Sequence, residues 1–290
     1  MHQQYVISDG LAGGAEGWPS RRGAYGTGHA DTMTAVEIAA IALSGIAAGA
    51  INAIVGSGTL FTFPVLISFG FPPVTATMSN AIGLVPGSFS GTWGYRRELA
   101  GQRRRILQLM PASLLGAVTG SWLLLYLPAE TFETVVPVLL VLALVLVVTQ
   151  TRIQRTLARH RERHGKMGVS HSQVAATIGG TYLIGCYGGY FAAAQGILLV
   201  GVLGSLLPES LQRLNALKNL LALGVNAVAA AAYTIVAYDR ISWEAAGLIA
   251  AGSLVGGSIG ASVGRRVPAA VLRGVIVVLG IIGIWRIISG

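Results

Sequence analysis

The residues best suited to chemistry in this chain sit at the mouths of two short apolar stretches. The segment Asn52-Ala-Ile-Val-Gly56-Ser57-Gly58-Thr59 leads into the apolar residues 60–69, which are closed by Pro72 and Pro73. Two glycines let the backbone turn without Cβ clashes, and a helix that starts after them presents unpaired N–H groups and the positive end of its dipole. At membrane depth such a start attracts an anion, and the hydroxyls of Ser57 and Thr59 add donors. The same atoms also suit an N-cap in which Ser57 or Thr59 satisfies its own backbone. The second mouth, Gly188-Gly189-Tyr190-Phe191 through Gln195-Gly196, precedes the apolar residues 197–207 and Pro208. Here Gln195 replaces the hydroxyls with an amide that donates or accepts. Tyr187 and Tyr190 can donate as well, although tyrosine more often anchors at the membrane interface.

A polar stripe accompanies these mouths. Asn215, Asn219 and Asn226 recur at intervals of four and seven, and Lys218 lies on the same side of the helix. Carboxamides facing lipid would lose their hydrogen bonds, so the stripe must face protein or a water-filled cavity. Lys218 suits either an anion's counter-charge or a side chain snorkelling to the headgroups. A weaker stripe of Thr77, Asn80, Gly83, Gly87 and Gly91 precedes it, and Asn80 fits substrate binding or helix–helix hydrogen bonding equally.

Other chemistries lack their residues. His29, His160, His164 and His171 fall in the tail or a basic loop, so no span carries the His, Asp and Glu spacing of a metal site or a nucleophile–base pair. No catalytic residues, metal ligands or cofactors are assigned, and no phosphate-binding loop for ATP is present. Cys186 is alone and reads as a small buried residue. Glu37, at the start of the first span, reads as interfacial, with proton coupling as its minor use.

The elements that must position these residues are membrane helices. With 290 residues, 53% of them hydrophobic and only 11% charged, the chain holds more apolar surface than a soluble core could hide. The net charge of +9 resides in loops facing anionic lipid, without the aromatic-interleaved basic face of a nucleic-acid binder. Hydropathy predicts spans near 34–55, 74–95, 106–127, 132–151, 173–190, 211–235, 242–263 and 268–288. Residues 60–69 and 197–207 cover only about half of a ~30 Å hydrocarbon core as helix and read as re-entrant half-helices. The fold class is therefore an all-α polytopic membrane protein of about eight transmembrane helices plus two half-helices.

The two halves repeat one another. Gly116, Gly120, Pro128 and Ala129 correspond to Gly256, Gly260, Pro268 and Ala269 at an offset of 140 residues, while Gly58 with Gly196 and Pro72 with Pro208 align at slightly different offsets. Residues 34–151 and 173–290 form two tandem membrane repeats joined by a basic cytoplasmic loop, 152–172. Residues 1–33 form a polar, disordered tail, with Met33 the expected native start. Arginines 96, 97, 103, 104 and 105, and the basic run from Arg152 to Lys166, put both of their loops in the cytoplasm. Eight spans make the repeats parallel but leave Arg265 and Arg266 outside, against the positive-inside rule; one segment crossing differently would invert the repeats. Glycines spaced by four, at 45 and 49, 116 and 120, and 252, 256, 260 and 264, read as packing seams, some of which would also suit a homodimer. Trp93, Tyr95 and Trp243 read as interfacial belt residues.

Gly49-Ala-Ile-Asn52-Ala-Ile-Val-Gly56-Ser57-Gly58-Thr59-Leu60 through Pro64, then Gly70-Phe71-Pro72-Pro73, Ala76-Thr77 and Tyr95-Arg96-Arg97, resembles the TauE/SafE family of sulfite exporter-like membrane proteins. The resemblance runs from about residue 34 to 288, and a lysine in the family's second repeat falls at a place like Lys218, with Asn219 beside it. The second half departs from the pattern, since Ala192-Ala193-Ala194-Gln195-Gly196 stands where members often have another Gly-rich turn. The resemblance implies a secondary transporter, not an enzyme, in the cytoplasmic membrane of a bacterium. Its implied cargo is a small anion such as sulfite, sulfoacetate or another organosulfonate, with a proton or cation as coupling partner. A passive channel or a non-transporting scaffold subunit are the alternatives. The residues expected to hold the anion are Asn52, Gly56, Ser57, Gly58, Thr59, Asn80, Gln195, Gly196, Asn215, Lys218 and Asn219.

Overall fold

The computed structural model describes residues 33–164 and 170–263, together with Val278 and Ile281. Secondary structure among them is helical throughout: α1 (Ala35–Ile54), α2 (Thr59–Ser68), α3 (Pro73–Gly94), α4 (Arg103–Tyr126), α5 (Ala129–His164), α6 (His171–Tyr190), α7 (Gln195–Leu206), α8 (Leu211–Val236) and α9 (Trp243–Val263), with a 3-10 turn at Tyr238–Arg240 before α9. Local chemistry sets many of these starts. Thr34 and Glu37 form a capping box at α1, which gives Glu37 a structural task, and Ser170 with Gln173 does the same at α6. Pro73 opens α3, where its missing N–H and fixed φ cost nothing. Among the described residues five helices are long and apolar enough to cross a membrane, namely α1, α4, the Ala129–Thr149 part of α5, α8 and α9. The chain is a multi-pass membrane protein.

Helix positions follow the hydropathy reading closely, including both short helices. One boundary differs, because α5 does not stop near 151 but continues to His164 through residues expected to be loop. Hydropathy marks where lipid contact ends, whereas Gln, Arg, Leu, Ala and Glu in that stretch are good helix formers that let the helix run on. The tail, 1–32, and the expected last span, 268–288, apart from Val278 and Ile281, lie outside the described residues. Tyr95 also differs from expectation: it is buried against Ala216 and Ala261, while Trp93 and Trp243 remain exposed.

Two glycine seams hold the helices together, because lipid gives no hydrophobic drive between apolar helices and close backbone approach is needed to gain dispersion contacts. Along α1 and α9, a Cβ on Gly49 would lie 2.8 Å from the Cα of Ser253, and one on Gly252 would lie 2.8 Å from the Ile46 nitrogen. Along α4 and α6, a Cβ on Gly116 would lie 2.8 Å from the Cys186 nitrogen. The environments match atom for atom: Gly252 faces Ala42, Gly45 and Ile46, and Gly116 faces Tyr182, Gly185 and Cys186. An offset of 140 thus relates α1 to α6 (Ala42 to Tyr182), but 136 relates α4 to α9 (Gly116 to Gly252). Gly116 therefore corresponds in packing to Gly252 and not to Gly256. Glycines spaced by four make registers one helical turn apart look equivalent in sequence, and only the partner helix separates them.

Helix direction can be read from the same contacts. Numbering rises together along α1 and α9, along α4 and α6, and along α3 and α9, where Gly83 packs near Ala246 and Ile249 and Gly94 near Ala261. α8 runs opposite to α3, since Asn226 bonds Ser88 whereas Ala216 packs on Tyr95. The short α2 folds back from α1: its N-cap Gly58 sits on Ala48, and its first turn bonds Asn80 of α3.

Gly256→Val should lower the thermal midpoint in detergent or abolish a monodisperse peak, because its side chain would overlap the Ile46 carbonyl of α1, an overpacking cost of about 1–3 kcal/mol or more. Gly247→Ala, which meets open space, should leave the midpoint unchanged or raise it. Equal behaviour of the two variants would contradict the seam.

Candidate functional site

The two mouths meet. The Gly196 N–H donates to the Gly56 carbonyl at 2.9 Å, and a Cβ on either glycine would overlap the other's Cα. Gly56 adopts φ +86°, which glycine alone takes without strain. The glycine facing Gly196 is thus Gly56; Gly58, aligned with Gly196 in sequence, packs instead on α1, where a Cβ would lie 2.5 Å from the Ala48 oxygen. The second mouth turns differently. Ala192 and Ala194 take φ +64° and +59°, so the chain holds two left-handed alanines where glycine would relax.

Where α1 ends, its last carbonyls need donors, and α8 supplies them. Lys218 Nζ donates to the carbonyls of Asn52 at 3.0 Å and Ala53 at 3.3 Å. The Ala53 oxygen also accepts from Nδ2 of Asn219 at 3.1 Å and of Asn215 at 3.3 Å. Snorkelling is excluded, since Lys218 is fully buried, with its stem on Gly196, whose Cβ would come 3.0 Å from Lys218 Cδ. The C-terminal end of α1, negative through its dipole, therefore serves as the partner of a buried ammonium. Sequence reasoning placed the stripe toward protein but assigned its donors to substrate; here backbone carbonyls hold them.

The end of α6 is satisfied from the same helix. Tyr233 of α8 donates its hydroxyl to the Gly189 carbonyl, Ser121 of α4 donates to that oxygen at 3.4 Å, and Tyr187 donates to the Ala193 carbonyl. Tyr233 was missed in the sequence, although it extends the stripe by another interval of seven from Asn226. Its signal was hidden because tyrosine in a membrane helix is usually read as an interface anchor. Asn226 and Asn52 both donate to the Ser88 hydroxyl, at 3.1 and 3.2 Å, tying α1, α3 and α8 together.

The start of α2 is arranged otherwise. Its N-cap, Gly58, makes no side-chain capping bond, so neither Ser57 nor Thr59 acts as the N-cap. Thr59 accepts from Asn80 Nδ2 at 3.0 Å, and Thr62 donates to Asn80 Oδ1, so Asn80 fastens α2 to α3. Ser57, Gly58 and Thr59 lend their amides to no described group, and Ser57 Oγ is buried without a partner. Across the contact, Gln195 Nε2 is likewise buried and unpartnered, with its amide against Gly188. Buried polar atoms are normally bonded, and of the buried side-chain atoms without a partner among the described residues, those of Ser57 and Gln195 belong to the neighbours of the two contacting glycines, while those of Gln102, Ser113 and Thr181 lie elsewhere. Phe63 and Phe191 pack edge to face at 5.1 Å beside the glycine junction, with Phe132 6.0 Å from Phe191.

The junction's electrostatics are one-sided. Among the described residues Lys218 is the one charged side chain that is buried, and no buried carboxylate balances it. The helix ends nearly cancel, two starts against two finishes, so Lys218 sets the sign of the junction's field whenever it carries its proton.

Helices that break and meet inside a membrane-spanning bundle, with donors left over, define a protein built around an enclosed polar centre. The chain belongs to the sulfite exporter TauE/SafE family, whose profile matches residues 41–286. It is 24% identical over 235 residues to a probable membrane transporter protein of Haemophilus influenzae, covering 81% of this chain and 88% of that one. It is also 24% identical over 239 residues to a probable membrane transporter protein of a Sinorhizobium species, covering 81% and 85%. No solved structure matches.

The two mouths should respond oppositely to small changes. Ala194→Gly removes a left-handed strain of about 1–2 kcal/mol, against about 0.5–1 kcal/mol of added chain entropy, so the thermal midpoint should hold or rise. Gly56→Ala should lower it clearly, through both its φ and its clash with Gly196. A comparable loss in both variants would contradict the described turn.

Proposed function

We propose that this chain is a secondary carrier of a small oxyanion, with sulfite, sulfoacetate or another organosulfonate as cargo, in the cytoplasmic membrane of a bacterium. The observation that carries the reading is the buried Lys218 ammonium without a buried carboxylate, beside the unpaired amides of Ser57, Gly58 and Thr59. An anion there would neutralise the surplus charge and take the free donors, including Ser57 Oγ and Gln195 Nε2. A cation carrier would instead be expected to place a carboxylate at this depth. Membership of the family and the likeness to probable membrane transporters support transport as the activity.

In this reading Ser57, Gly58 and Thr59 bind the anion, Gln195 and Gly196 approach from the other half, and Lys218 supplies counter-charge. Asn215 and Asn219 hold the end of α1, Asn52 braces it through Ser88, and Asn80 keeps the start of α2 in place.

Inverted repeats are supported by helix direction. If α3 and α8 are equivalent members of the two halves, their antiparallel course turns one half over relative to the other. Because α2 folds back along α1 and α3 then runs in the same direction as α1, α1 and α2 together return the chain to the side on which it entered, which leaves three crossings in the first half and so turns the second half over. α9, parallel to α3, would end on the side of the arginine-rich loop after α3, so Arg265 and Arg266, themselves outside the described residues, would follow a cytoplasmic end as the positive-inside rule requires. The Gly56–Gly196 contact then reads as the closed centre about which one repeat rocks against the other, exposing the anion to each side in turn.

Radiolabelled sulfite or sulfoacetate uptake into proteoliposomes tests this, with pH and cation gradients imposed separately to find the coupling ion. Saturable flux is expected, with a loss of about tenfold or more in Lys218→Met and a raised KM in Ser57→Ala. Non-saturating flux would indicate a channel, and unchanged flux in both variants would overturn the site.

A further inference from the structure

On the side of the molecule where α4 begins lies a second feature, independent of the central junction. A cavity of about 330 Å³ opens there between α4, the first two turns of α6 and the end of α7. Arg104, Arg105 and Gln108 of α4 form one wall, Val174 and Thr177 of α6 the other, and Leu207 closes it toward the apolar cluster around Leu203 and Leu214. One side can therefore bond an anion while the other can take hydrocarbon.

The local charges do not balance. Arg103, Arg104 and Arg105 occupy the first turn of α4, which holds no acidic residue, although cations at a helix start oppose the dipole. Glu209 is bonded to this group, accepting from Arg105 and, at 2.6 Å, from Arg213. Burial pushes the Glu209 carboxyl up, but the two guanidiniums outweigh it and hold it below the usual range, so it remains an anion shared between them. Arg213 is held further by the Ala100 carbonyl at 3.1 Å. Arg104, exposed at the cavity wall, has no hydrogen-bond or ion-pair partner among the described residues. The Thr177 hydroxyl is taken by the Gln173 carbonyl at 2.6 Å, which leaves Arg104 and Gln108 as the free polar groups of the wall.

We infer that this cavity holds the phosphate-bearing headgroup of an anionic phospholipid, gripped by Arg104 with Gln108 and backed by Val174 and Leu207. A guanidinium fork matches two phosphate oxygens at once. The volume accommodates a headgroup and glycerol rather than acyl chains, which can lie along Leu107, Leu115 and Leu183, all well exposed on the outer faces of α4 and α6. A basic pocket between membrane helices, at the level where a helix enters the bilayer, is where headgroup and hydrocarbon are both within reach.

The full-length protein, delipidated in detergent, is titrated with phosphatidylglycerol, phosphatidylcholine or inorganic phosphate, and bound lipid is counted by native mass spectrometry beside the thermal midpoint. Phosphatidylglycerol should be retained and raise the midpoint, phosphatidylcholine should be retained about fivefold less, and millimolar phosphate should do neither. Arg104→Gln combined with Gln108→Leu should lose at least about fivefold in retention, whereas Arg152→Gln, exposed on α5, should lose none. Equal retention of the two lipids, or undiminished retention by the double variant, would overturn the site. Stabilisation by phosphate alone would reassign it to a soluble anion.

Discussion

The buried ammonium of Lys218, seated on the last carbonyls of α1, is the contact on which the rest of the centre depends. A helix that ends inside a membrane leaves acceptors that lipid cannot satisfy, and each would cost several kcal/mol if left bare. A lysine buried without a carboxylate would be at least as costly on its own. Placing one against the other removes both problems, and it fixes where α1 stops, how α8 is rotated and where Gly196 must lie, because the lysine stem runs over that glycine. α8 repeats the device at its far end, where Tyr233 takes the carbonyl of Gly189. One helix thus ties off the carbonyl ends of both broken helices while the amide starts of α2 remain unspent. The proposed anion site rests on that asymmetry.

The surrounding bundle makes such a centre tolerable. Seams of glycine let α1 lie on α9 and α4 on α6 at backbone contact, so the junction is clamped by helices that cannot separate without losing long runs of dispersion contacts. Each of the matched seams joins a helix of one half to a helix of the other, α1 to α9 and α4 to α6, and together they hold the two breaks at the same place. The bundle is rigid at its seams and thin at its centre, where little more than one backbone hydrogen bond and a pair of edge-to-face rings joins Gly56 and Phe63 to Gly196 and Phe191.

Much of this was legible in the sequence, and what was not has identifiable causes. Apolar runs bounded by Ser, Thr and Pro located nearly every described helix, and two runs too short to span located both breaks. The convergence of Asn52, Ser57, Gln195 and Lys218 on one centre followed from treating those breaks as a pair. The partner of Lys218 was hidden, because a backbone carbonyl has no side-chain identity and any residue can supply it. The register of Gly116 was ambiguous for a different reason: a motif repeating every four residues cannot distinguish one helical turn from the next. Ala192 and Ala194 gave no sign of positive φ, since alanine is the residue least expected there. The length of α5 was lost where hydropathy, a measure of lipid contact, was asked to report helix continuity.

Anomalous diffraction from crystals grown with selenite, the heavier analogue of sulfite, would probe the unspent amides of α2 most directly. The account predicts a selenium peak within hydrogen-bond reach, about 3.5 Å or less, of the Ser57–Thr59 amides and on the Lys218 side of the junction. A junction without selenium, while peaks appear only on exposed arginines, would contradict it.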